Sequence, residues 1–526
     1  MNGRAGMERI KNGKVVCCCL FLIVSSLLVY LPSIHHEFIP LFDDTPYVLC
    51  NPSAQGVSPA NIRSAFTRLY CGNYAPFHII SYMFNYEMSG LDPSNYILTN
   101  IVLHIINGIL IYLLLLRSSF AHRYASLAAY LFLLHPVQVE SVVWISERKT
   151  VLSMLFFLAA THFYLTYLRG RAGRSYLLSL ITFVSAVLSK STAVILPLCL
   201  ICYDAAYRKH DNRLKDKIPF IAVALAGACL TLYSQDSSRQ GGRTTYHGGS
   251  PLATFFTMLP VLQRYIRNLF CPTGLSAYYG NLVPKSFFDE EVFLAGIFSL
   301  SLLLFGVYLF RRNKELFCWY SIFFVGLLPV SQIVPIVTLI NDRYLYFPMV
   351  GAAGFCAAGI RLTHETYPKT GRYVTVICVV ICLSLSWLTY LQAKTWQNSF
   401  SLYRQIIFQN SEQIDFKILQ DQYFLQSDVK GLTEVAEKLL NNFPSSPDVL
   451  KFASKVYLRA NNPHAAQLSL EKLTESTPVD LESLLMLATV YRNSGRLDAA
   501  KKVYEQILVL YPGYEVANRA LKEIGQ

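Results

Sequence analysis

Residues 97–116 read ILTNIVLHIINGILIYLLLL, twenty consecutive positions without a Lys, Arg, Asp or Glu. A bilayer core about 30 Å thick takes roughly 20 helical residues, so this stretch reads as a membrane span. The chain repeats the pattern near residues 15–34, 124–140, 149–168, 217–233, 292–310, 317–338, 344–361 and 373–392. The run at 15–34 is longer than the apolar core of a secretory signal. It also lacks a small-x-small cleavage site, so it reads as an anchor.

The whole composition agrees. Of 526 residues, 53% are apolar and 15% charged, with a mean hydropathy of +0.35. Soluble domains carry about 25% charged residues, which excludes a cytosolic enzyme, a disordered tail protein and a small disulfide scaffold. The formal charge of +13 lies in the apolar part. Residues 1–395 hold 32 basic and 18 acidic side chains, whereas residues 396–526 hold 14 and 15. Lys and Arg collect in cytoplasmic loops and near anionic headgroups, so this charge calls for a membrane lipid surface and no nucleic acid. Thirteen cysteines follow no metal-ligand spacing. Cys50, Cys71 and Cys271 read as water-facing, and the first two are placed to permit a disulfide.

Orientation follows from the basic clusters. Arg4, Arg9, Lys11 and Lys14 precede the first span and put the N-terminus in the cytoplasm. Later clusters at Arg117/Arg123, Arg169/Arg171/Arg174, 208–217, Arg311/Arg312/Lys314 and 361–372 require an even number of crossings between them. Parity then makes 175–204 a short hairpin of two spans with Lys190 at its tip. It also makes 254–270, with Arg264 and Arg267, an interfacial or re-entrant helix. The reading is an all-α polytopic bundle of about eleven spans, N-terminus in, with a large outer loop at 35–96.

Beyond the spans, Pro444, Pro478 and Pro512 recur every 34 residues, as do Tyr423, Tyr457 and Tyr491. The last unit is the clearest, with Leu487, Ala488, Tyr491, Gly495, Ala500, Tyr504, Ile507 and Pro512. Small residues where two helices touch, aromatics filling the gap and a closing proline define a tetratricopeptide-type α-solenoid. Repeats fall near 413–446, 447–480 and 481–514, inside a second domain at 396–526. Its groove would recruit a protein or glycan.

The outer loops carry the chemistry. Asp43 and Asp44 are adjacent acids just past the first span, in a loop that continues to Tyr74. They suit three roles: a base toward a hydroxyl, ligands for a divalent cation, or a solvated turn. His135, Pro136 and Glu140 do not have metal-ligand spacing, and His135 reads as a hydrogen-bonded interfacial group. Glu140 supplies a further acid, and Glu147 stands beside it as another candidate. Arg148 and Lys149 face outward against the usual charge bias and call for an anion, as does Arg343. Lys190, short of the outer surface, meets a lipid phosphate, snorkels to the interface or pairs with a buried carboxylate. Asp342 and Arg343 are placed to pair with each other.

FDDTPYVLCNP (42–52), YAPFHIISYMFNYEMSGLDPSNYILTNIVLHIINGILIY (74–112), LHPVQVESVVWISERKTVLSMLFFLAA (134–160), LSKSTAVILP (188–197) and NDRYLYFPMVG (341–351) resemble one known family. It is the transmembrane-and-tetratricopeptide-repeat O-mannosyltransferases, with a closer likeness to bacterial members. The HPV-x-x-E-x-x-x-W-I-x-E-R-K stretch is the most specific part. The resemblance implies a GT-C glycosyltransferase fold and an inverting transfer of a mannose-like hexose from a polyprenyl-phosphate donor. The acceptor would be a protein or glycan hydroxyl on the non-cytoplasmic face. It places Asp43 and Asp44 on the family's acidic pair, with Asp43 the base toward the acceptor hydroxyl and Asp44 orienting it or an acceptor group. The physics of an anionic leaving group assigns Arg148, Lys149, Lys190 and Arg343 to the donor phosphate. His135, Glu140, Glu147 and Tyr74 remain further site candidates. No cofactor is required, a divalent cation being the one group the paired acids would suit. The setting would be a bacterial inner membrane with periplasmic repeats, or an endoplasmic-reticulum membrane in a eukaryote. Ala75 stands where the family often has Arg, and the repeat array is short. The rival classes are a non-catalytic repeat scaffold, which would leave Asp43 and Asp44 dispensable, and a transporter. A transporter would show an internal repeat among the spans and polar groups at mid-membrane.

Overall fold

A computed structural model describes residues 12–40, 42–207, 214–236, 244–279, 286, 288–409, 428–475 and 480–525. Tyr423 and Pro478 of the repeat pattern, and Arg4, Arg9 and Lys11, lie outside them. The described residues are helical apart from loops, with one isolated bridge between Tyr70 and Asn73. They form two units, Met1–Ser399 and Phe400–Gln526, which moves the sequence boundary by four residues.

In the first unit each apolar run lies wholly or partly on helix. Six helices are long and apolar enough to cross a membrane: Gly13–His35, Pro93–Arg117, Ile145–Gly170, Leu214–Ser234, Glu290–Arg312 and Gly371–Lys394. The bent pair His122–Leu134 and Pro136–Val143 is either a seventh, broken span or a re-entrant loop, and Gly173–Val187 and Ser191–Tyr207 are shorter apolar helices. Two expected spans are corrected. The run 124–140 breaks at His135 with a 52° bend, because Pro136 cannot continue the hydrogen-bond ladder. The run 317–338 is helical only to Leu327, where Pro329 stops it.

Helices in lipid gain nothing from burying apolar side chains against one another, so close packing and polar contacts hold them together. Both appear. Gly326, Gly351 and Gly354 line the contact between Lys314–Leu327 and Pro348–Thr366. A Cβ on Gly351 would stand 2.3 Å from the Phe323 nitrogen, so only glycine permits that approach. Within the opening stretch, Asn100, His104 and Asn107 share one helix face. Asn100 donates to the Trp144 carbonyl (3.2 Å) and Asn107 to that of Val151 (2.9 Å). His104 bridges the Tyr346 hydroxyl (2.7 Å) and the Leu133 carbonyl (3.0 Å). The outward faces keep their apolar side chains exposed, for example Leu225, Leu303 and Leu383.

The second unit is a run of antiparallel helices. Val429–Asn442, Pro463–Glu475 and Leu497–Leu510 begin 34 residues apart, as do Pro447–Arg459, Leu481–Asn493 and Glu515–Ile524. Leu487, Ala488, Ala500, Tyr504 and Ile507 share one buried cluster, and Gly495 supplies the positive φ of the intervening turn.

Candidate functional site

The site assembles where four helices of the first unit are interrupted. Past the first helix, the loop carrying Asp43 and Asp44 folds back on the 3-10 turn Ile145–Glu147. Asp44 makes that contact. It is fully buried, accepts from the backbone N–H of Ile39 (2.8 Å) and Ser146 (3.0 Å), and accepts from the Ser146 hydroxyl. Burial pushes its carboxyl up to about 6, against the downward pull of those hydrogen bonds. Both oxygens are committed to holding the loop.

Asp43 points the other way. Its side chain is 42% exposed and pairs with the Lys149 ammonium at 3.3 Å. Lys149 opens the helix Arg148–Gly170, lies 4.8 Å over the Tyr47 ring, and reaches Glu147 at 3.4 Å. Glu147, 1% exposed, is the hub. It also takes Lys190 at 2.8 Å, Arg343 at 3.4 Å and the Thr150 hydroxyl. Lys190 is the N-terminal boundary of the 3-10 turn Ser191–Ile195, at the tip of the expected hairpin, and donates to Thr150 as well (2.6 Å). Arg343 comes from the turn Asp342–Leu345 and grips buried Glu140 through its guanidinium and its backbone N–H (2.8 Å). Glu140 is delivered by the bend at Pro136.

Asp43, Glu140, Glu147, Lys149, Lys190 and Arg343 are therefore brought together as three acids and three bases. The buried Glu147 carboxylate holds three cations whose side chains are 11–16% exposed. Asp342 does not join Arg343. It accepts from Tyr279 (2.6 Å), Ser276 N–H (3.1 Å) and Asn268 (3.3 Å). Burial, with Glu140 nearby, pushes Asp342 up to about 8.

Asp44, Arg148, His135 and Tyr74 fall outside the cluster. Arg148 is fully buried: its donors go to Asn100 (2.8 Å), Asn85, the Ser81 carbonyl (3.2 Å) and the Tyr96 carbonyl (2.8 Å), over the rings of Tyr82 and Tyr96. It holds helices together: four of its five N–H groups are spent on these partners, and none of the residue is exposed to meet a phosphate. His135 accepts from Val137 N–H and donates to the Leu269 carbonyl (2.9 Å), as an interfacial group would. Tyr74 donates to the Phe66 carbonyl (2.9 Å). Cys50 and Cys71 are free thiols, so the permitted disulfide is not made. Among the described residues no group of three or more His, Cys, Asp or Glu is arranged to hold a metal ion. Sequence reasoning missed Tyr47, Ser146 and Thr150, which carry no charge and no motif of their own.

Beside the cluster runs an apolar cavity of about 420 Å³, lined by Leu131, His135, Leu269, Phe323, Met349 and Cys356 among others. The turn Pro136–Gln138, next to His135 on its wall, packs on the turn that carries Arg343.

Residues 82–233 match the family described as dolichyl-phosphate-mannose-protein mannosyltransferase. The chain is 30% identical over 187 residues to the protein O-mannosyl-transferase Tmtc1 of Drosophila melanogaster, covering 34% of this chain and 21% of that one. It is 23% identical over 446 residues to the human protein O-mannosyl-transferase TMTC1, covering 72% and 50%. The chain thus spans half or less of the length of these two relatives. The oligosaccharyltransferase AglB of Archaeoglobus fulgidus gives a TM-score of 0.40 at 13% identity, covering 79% of this chain and 60% of that one. That likeness is too distant to assign anything. The resemblance expected from the motifs is borne out: the chain is similar to the protein O-mannosyltransferases, and it is an integral membrane protein.

Proposed function

We propose, from this similarity to the O-mannosyltransferases, that the chain is a membrane glycosyltransferase of GT-C type. It moves a mannose-like sugar from a polyprenyl-phosphate donor to a protein or glycan hydroxyl. The observation that carries the reading is the gathering of Lys149, Lys190 and Arg343 around buried Glu147, with exposed Asp43 at its edge. Three cations in a poorly hydrated setting stabilise a phosphate more strongly as it departs than while it is esterified, and that difference is what lowers a barrier. Asp43, the accessible acid, takes the proton of the acceptor hydroxyl as that oxygen attacks the anomeric carbon. One displacement inverts that carbon. Asp44 positions the loop, and Arg148 is withdrawn from the donor-binding set. The apolar cavity beside the cluster suits the prenyl chain.

The apolar runs, read with the charge parity, support eleven spans, with the cluster and the repeats both on the non-cytoplasmic side of the membrane. The 34-residue helix spacing supports a tetratricopeptide groove that recruits the acceptor. A bacterial inner membrane, with the repeats in the periplasm, fits the short array. The test is transfer by the purified protein in nanodiscs, supplied with polyprenyl-phosphate mannose and a Ser/Thr-rich peptide. Wild type should glycosylate the peptide, and Asp43→Asn should lose at least about a hundredfold of the rate, the low end for a general base. A folded Asp43→Asn protein with undiminished transfer would overturn Asp43 as the base, and a folded wild type that transfers nothing would return the chain to the scaffold class.

A further inference from the structure

The six-residue cluster has no net formal charge, so an anionic headgroup must displace one of the resident acids to gain a full ion pair. The three acids are not equally displaceable. Glu140 and Glu147 are 3% and 1% exposed and each meets more than one donor. Asp43 is 42% exposed, and its one ion pair, at 3.3 Å, is to Lys149. Lys149 also meets Glu147 (3.4 Å) and the Tyr47 ring (4.8 Å), so the loss of Asp43 alone does not strand it. Resting on the donor reading above, we propose that Lys149 is a two-position residue. Without donor it masks Asp43; with donor it swings to the phosphate and releases the Asp43 carboxylate toward the acceptor hydroxyl.

The arrangement orders the reaction. Donor must enter before Asp43 leaves its ion pair, so the acid that takes the acceptor's proton is released from Lys149 only when there is a sugar to transfer. Lys149 acts here as a positioning residue for Asp43 as well as a ligand to the phosphate. No bond is made or broken in the exchange: one carboxylate leaves the ammonium and one phosphate oxygen replaces it.

Competition has a signature that ordinary ligation lacks. Removing a competing carboxylate tightens binding of a phosphate, whereas removing a ligand weakens it. The experiment is a binding titration of the full chain in detergent micelles with farnesyl phosphate, a sugar-free donor fragment. Farnesol and inorganic phosphate serve as parallel arms that separate the tail from the headgroup. Asp43→Asn should bind farnesyl phosphate about fivefold more tightly than wild type, the size of one partly screened ion pair. Lys149→Gln should bind it more weakly. The double variant should match Lys149→Gln, because Asp43 acts only through that lysine. Unchanged or weaker binding by Asp43→Asn, or a double variant that keeps the gain, would overturn the exchange while leaving the donor reading intact. Failure of wild type and every variant to bind farnesyl phosphate better than farnesol would overturn both. Asp43 is exposed enough that its amide variant folds, so the central comparison stands even if Lys149→Gln does not.

Discussion

Replacing Glu147 with Gln tests whether this carboxylate organises the site. The change keeps size and one acceptor oxygen but removes the charge that Lys190, Lys149 and Arg343 share at 2.8, 3.4 and 3.4 Å. At an effective dielectric of about 20 those separations correspond to roughly 5–6 kcal/mol of attraction apiece, before the cost of desolvating each ion. Most of that gross figure cancels. Breaking one buried pair leaves a net loss of about 3–5 kcal/mol, because the cations stay behind without their partner. The new amide adds to the loss by turning N–H groups toward them. The assay is equilibrium or thermal unfolding of wild type and Glu147→Gln in the same micelles, with and without farnesyl phosphate. The variant should be less stable by about 3–5 kcal/mol, and the anion should restore more stability to it than to wild type. A variant within about 1 kcal/mol of wild type, equally indifferent to the anion, would refute the hub.

Two further outcomes follow from particular contacts. Asp44, held near 6 in the fold and near 4 when unfolded, binds its proton more tightly when folded. Its contribution therefore falls as pH rises from about 4 to about 6, by up to about 2 kcal/mol, and Asp44→Asn should lack that slope. Parallel pH–stability curves for the two proteins would contradict the assignment. Gly351→Val should cost at least about 2 kcal/mol, since a Cβ there meets backbone atoms of Phe323 and Trp319. Gly359→Ala on the same helix, where nothing lies within 4 Å, should be neutral or mildly stabilising, and similar melting of both variants would argue against the close approach.

The apolar runs and the 34-residue period were legible because each is a repeated physical requirement: lipid must be met by carbon, and stacked hairpins must present the same face. The interruptions were half legible. Pro136 announced a break, yet nothing local tells that the break aims Glu140 at a guanidinium 203 positions away. Lys190 paired with a carboxylate, one of the three readings its place on the hairpin allowed. Arg148 and Lys149 show the limit most plainly. They are neighbours in sequence and read as one basic unit, but consecutive helical residues point about 100° apart. That rotation sends one into the helix packing and the other to Asp43. Ser146 and Thr150 were invisible because a hydroxyl gains meaning only from the carboxylate that finds it.

Arg148 has a consequence of its own. Its guanidinium sits in the interior on amide and carbonyl oxygens and two aromatic faces, and among the described residues no carboxylate lies within ion-pair distance. Dipoles anchor such an ion without cancelling it, so its field extends to whatever sits one residue further along the helix. The balanced sextet beside it thus rests on a permanent positive background. A visiting phosphate would feel a pull before any resident pair had opened, and a departing one would leave against it.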